Sequence, residues 1–80
     1  MSERAENMGR QVLLRQERQR LAAEGEALRD SLRRLLPLAE DVGGLDREKI
    51  LCAAVALEQS LLELAVIDKK LAILSRELGN

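Results

Sequence analysis

Residues 46–78 carry more apolar surface than one neighbouring helix can cover, and this constrains the fold more than any other feature of the chain. Ile50, Leu57, Leu64, Leu71 and Leu78 recur every seventh residue, joined by Ala53, Ala54, Leu61, Ile67 and Leu74. Leu51, Val55, Leu62, Val66 and Ile73 form a second stripe. At about 100° per residue the two stripes are centred roughly 150–180° apart on a helix. A helix apolar on both sides needs cover on both sides.

The preceding segment can cover only one. From about residue 11 to 36, Leu14, Leu21, Leu28, Leu32 and Leu35 share one helical face with Ala39, while Arg15, Glu26, Arg29, Asp30 and Arg33 occupy the rest. Gly25 falls on the apolar face and reads as a point of close helix approach. Pro37 cannot donate to the carbonyl of Arg33, so this helix is expected to end near Leu36, or to kink there and continue to about Val42. Gly43-Gly44 closes the segment, with Gly43 placed to act as a left-handed cap and residues 43–45 as the turn. Asp46 is an N-cap, Glu48 lies in the first turn, and Leu45 and Ile50 are spaced as a hydrophobic staple. Arg76 and Gly79 mark the far end of a helix over residues 46–78.

The expected fold is therefore all-α: one domain, a two-helix antiparallel hairpin of coiled-coil type that dimerises into a four-helix bundle. With a turn centred near Gly44, the numbers of facing residues sum to about 88, which sets Leu21 level with Ile67 and Leu14 with Leu74. Residues 1–10 place Ala5, Met8 and Val12 on a face nearly opposite the leucine stripe, and Gly9 interrupts them. This stretch is expected to be a flexible N-terminus. The second stripe remains uncovered, and burying each of its five side chains is worth roughly 1.5–3 kcal/mol before the costs of association.

Composition agrees with long helices. No aromatic residue is present, yet 46% of the chain is hydrophobic and 34% charged. An 80-residue core is marginal without a disulfide, a metal or another subunit. Cys52 is the single cysteine and reads as a small buried side chain; His is absent, so a metal site would need carboxylates alone. Association is the route that remains. The net charge of −1 implies no global attraction to nucleic acid or membrane. The start lacks the basic and apolar regions of a signal peptide, and the longest apolar run, residues 50–57, is short for a bilayer span. A cytoplasmic protein with no membrane partner is expected.

The sequence contains no motif for catalysis. Without His there is no ordinary general base near neutrality, and Gly43-Gly44 is no phosphate loop. Glu58, Glu63 and Asp68, spaced by five, spread around the helix instead of converging. No cofactor is expected. Asp68 falls inside the leucine stripe, where Arg18 is placed to meet it. Leu51, Val55, Leu62, Val66 and Ile73 are the expected oligomer or partner interface. The expected function is non-enzymatic protein–protein interaction, as a small scaffold, adaptor or regulatory subunit whose partner is a second copy. One alternative is an export-type chaperone that holds another protein's helix. The other is a nucleic-acid-binding dimer, similar in architecture to the RNA-binding hairpin Rop, using Arg10, Arg15, Arg18 and Arg20.

Overall fold

A computed structural model describes residues 3–79. Two α-helices, α1 (Glu3–Leu35) and α2 (Arg47–Glu77), fold back on each other through a connector containing the 3₁₀ turn Val42–Gly44. No strand occurs among the described residues. The hairpin measures 60 × 18 × 15 Å.

Local chemistry sets each boundary. Pro37 ends α1: the amide of Leu36 donates to the Arg33 carbonyl at 3.2 Å, taking the acceptor that a non-proline residue 37 would have used. The chain does not continue helically to Val42 as the kinked alternative would have it. It turns through Glu40, whose amide donates to the Pro37 carbonyl at 3.4 Å. Ala39 is therefore exposed and does not extend the apolar face of α1. The Asp41 carboxylate accepts from the Gly43 amide and caps the 3₁₀ turn. Asp46 is the N-cap of α2, its carboxylate accepting from the Lys49 amide at 3.1 Å. Among the described residues the left-handed glycine is Gly79, at φ 78°, just beyond α2, and not Gly43.

The start of α1 differs from the sequence expectation. Residues 3–10 continue α1 as helix where a flexible arm was expected, and the first two positions of that arm lie outside the described residues. The physical reason lies in α2, which is long enough to offer these residues partners. Arg4 Nη1 donates to the Leu78 carbonyl at 3.2 Å, Asn7 Nδ2 to Glu77 Oε2 at 3.2 Å and Gln11 Nε2 to Ser75 Oγ at 3.3 Å. Glu3 and Glu6 also lie in the first turn, where the helix dipole favours anions. Together these contacts hold Gly9 helical despite its cost of about 1 kcal/mol relative to Ala.

The core follows the expected pairing. Among the described residues Leu21 is the one fully buried large side chain, beside buried Ile67, and Leu74 and Leu78 close the open end. Leu14, Leu28, Leu32 and Leu35 are half-buried against the seven-residue stripe of α2. Arg18 with Asp68 lies within a turn of the expected register, whereas Gly25 with Leu57 lies more than a turn from it. The offset arises because the non-helical connector begins at Leu36, which moves its centre toward Asp41. Leu61, assigned to the same stripe, is 55% exposed because it lies on the shoulder of α2, at the edge of an open recess with Ala22, Gly25 and Arg29 of α1. Cys52 is likewise exposed and not buried, since it sits at the edge of the side of α2 that α1 leaves open.

Gly25 is buried at the helix contact, but the two helices do not need its missing side chain. A methyl group there would meet only Leu57 Cδ1, at 4.0 Å, an ordinary van der Waals separation. Gly25→Ala is therefore expected to stabilise the chain by up to about 1 kcal/mol, read from urea unfolding at fixed protein concentration. A loss of stability would show that the glycine is required for close approach after all.

Candidate interaction surface

The two long sides of the hairpin are chemically different. On one side, α1 presents Arg4, Gln11 and Arg18 at seven-residue intervals toward Leu78, Ser75 and Asp68 of α2. Arg18 grips Asp68 through both carboxylate oxygens, at 2.5 and 3.3 Å, with both side chains about half exposed. That planar, two-point contact is one that arginine makes and lysine cannot. The Arg18 hydrogen bond holds the Asp68 carboxyl below the usual carboxylate range, and Asp68 in turn raises the guanidinium. The pairing that the sequence suggested is formed, at the surface and not in the interior.

On the other side lies the second stripe of α2. Leu51, Val55, Leu62, Val66 and Ile73 remain 64, 46, 60, 53 and 41% exposed. α1 buries none of the five, in keeping with their angular separation from the first stripe. Leu62 and Val66 line a shallow recess of about 360 Å³ with Leu21, Ile67, Glu17, Arg20 and Glu63. Ile73 borders a second recess with Leu14 and Leu74. Along the rim, Arg20 binds both Glu17 and Glu24, its bond to Glu24 being 2.5 Å. Hydrogen bonding from Arg20 lowers the Glu17 carboxyl, and the two acids raise Arg20.

The exposed stripe also gives α2 a mean hydropathy of 1.9 over an eighteen-residue window, apolar enough by length and composition to cross a membrane; only 11% of that window is buried. One such helix is weak evidence of a span, since the mostly buried core helix of a soluble protein meets the same criterion, although this window is mostly exposed. Here it restates how much of the helix α1 leaves uncovered.

The remaining candidates are dispersed. Arg18 and Arg20 are engaged with carboxylates on opposite sides of the hairpin, whereas Arg10 and Arg15 carry no ion pair among the described residues. The four arginines do not form one basic face, and two of them have local counter-charges. Glu63 lies by Arg20 and Asp68 by Arg18, across the hairpin from one another, and Glu58 is exposed on α2. These three acids do not converge. The seam residues Arg4, Asn7 and Gln11 were missed from sequence, although the seven-residue spacing of Arg4, Gln11 and Arg18 was there to be read. In comparisons with known proteins, no family model, curated protein or solved structure matches this chain.

The Arg18–Asp68 pair has a pH signature. Because the folded-state carboxyl is depressed, its contribution is present above the unfolded pKa of about 4 and is lost as pH falls through the folded value. Between about pH 5 and pH 2 the thermal midpoint of the wild type should therefore fall more steeply than that of Asp68→Asn, at equal protein concentration. Parallel curves would show that the pair adds nothing in solution.

Proposed function

We propose that this chain is a non-enzymatic protein–protein interaction module, a small cytoplasmic scaffold, adaptor or regulatory subunit that works as a symmetric homodimer. In this reading the second stripe of α2 meets its copy, and two hairpins make a four-helix bundle. The observation that carries it is the continuous exposure of Leu51, Val55, Leu62, Val66 and Ile73 along one side of one helix.

Magnitudes support the need for cover. The chain exposes 6272 Å², whereas a compact protein of 8.9 kDa exposes about 4,800 Å². Its radius of gyration is 18.0 Å, against about 12 Å for a globule of this length. The surplus surface exceeds what each partner contributes to an interface of standard size, roughly 800 Å². A second copy is the economical occupant, because one self-complementary patch then covers both chains.

Sedimentation of the pure chain tests the reading. The wild type should be dimeric at micromolar concentration, and Leu62→Glu/Val66→Glu should weaken association about a hundredfold or more, by placing charges in the contact. Met8→Glu/Val12→Glu, on the far side of α1, should leave association unchanged. A wild-type chain that stays a soluble monomer, or a stripe variant that dimerises normally, would overturn the proposal.

A further inference from the structure

The stripe also encodes which way round its partner lies. We infer that α2 packs antiparallel against the α2 of a second copy, with the two-fold axis passing level with Leu64. The inference rests on the homodimer reading above and adds the orientation to it.

The first argument is spacing. Val55, Leu62, Val66 and Ile73 are separated by seven, four and seven residues, a palindrome about residue 64, while Leu51, at the stripe's end, comes level with the partner's Glu77. An antiparallel two-fold at that level sets Leu62 against the partner's Val66 and Val55 against the partner's Ile73, each contact occurring twice. All four are exposed in the single chain.

The second argument is charge. At about 100° per residue, Glu58 and Lys69 border the stripe on its outer edge, and Gln59 and Lys70 on the edge toward α1. An antiparallel two-fold keeps each edge on its own side. Glu58 then comes level with the partner's Lys69 to within about 1.5 Å of axial rise, twice per dimer. A parallel two-fold crosses the edges, and Lys69 then meets the partner's Lys70, a like-charge contact made twice. Electrostatics select the antiparallel arrangement.

The third argument comes from α1. The contacts Gln11–Ser75 and Arg18–Asp68 place the level of Leu64 near residue 22 of α1, and Gly25–Leu57 places it about a turn earlier. Arg20 and Glu24 are symmetric about residue 22 and are ion-paired with each other on the rim of the exposed recess. The same axis brings Arg20 toward the partner's Glu24. The bond now made within one chain can therefore be exchanged for one between chains, framing the apolar contact with complementary charge.

Cys52, exposed and the single cysteine, makes the orientation measurable in the full chain. A nitroxide is attached there, sedimentation is repeated on the labelled protein, and the distance between labels is read by pulsed electron resonance. In the antiparallel dimer the two labels are separated by about 36 Å along the axis. In a parallel dimer they lie at one level, less than about 20 Å apart. A distance near 36 Å supports the inference. A short distance in a dimer overturns the orientation and leaves the dimer standing, and a monomer or larger assembly overturns both.

Charge reversal gives an independent readout, since Glu58 and Lys69 are too far apart on one helix to meet within a chain. Lys69→Glu should weaken the dimer by about tenfold, and Glu58→Lys/Lys69→Glu should restore wild-type affinity. Tightening by Lys69→Glu alone is the parallel result and overturns the inference.

Discussion

Hydrophobic stabilisation grows with the apolar area withdrawn from water, and two rods lying side by side withdraw only a strip. Every other property of this hairpin depends on that geometry. One line of contact runs through Leu21, Ile67, Leu74 and Leu78. Residues a third of a turn away from it on α2, such as Leu61 and Val66, are already half or more exposed. Among the described residues no third long helix encloses them. The chain has the local chemistry of a well-made pair of helices and leaves much of its apolar surface exposed.

The two sides of the contact line divide the work of folding. Polar ties run down one side, where Arg4, Gln11 and Arg18 reach α2. Half-exposed pairs of this kind contribute little stability, but a two-point contact such as Arg18 on Asp68 is formed at one register only. Leucines repeating every seven residues would tolerate a slip of two turns. The ties specify alignment, and the leucines supply most of the attraction. The other side carries exposed apolar side chains with a charged rim.

Much of this was legible because it is local. Asp46 and Gly79 act within a few residues of themselves, so both ends of α2 could be read directly, whereas Pro37 left open whether α1 ended there or kinked and went on. The uncovered stripe was equally legible, since angular position on a helix follows from spacing alone. The beginning of α1 was not. Gly9 argues locally for fraying, and only the arrival of Ser75, Glu77 and Leu78 opposite residues 4–11 reverses that balance. Leu61 and Cys52 were misplaced for a related reason: wheel angles say which way a side chain points, whereas burial depends on how far the neighbour extends around it.

The sequence by itself determined that there are two helices, that they lie antiparallel, and that α2 is apolar on two sides, because helical periodicity and end signals are short-range properties of the covalent chain. The tertiary structure decided which leucines are sealed, that Arg18 and Asp68 meet at the surface, that Gly25 leaves room for a methyl group, and that the first turns of α1 are held. Those outcomes depend on the relative level and distance of two helices, and both are set only when side chains from distant parts of the chain come into contact.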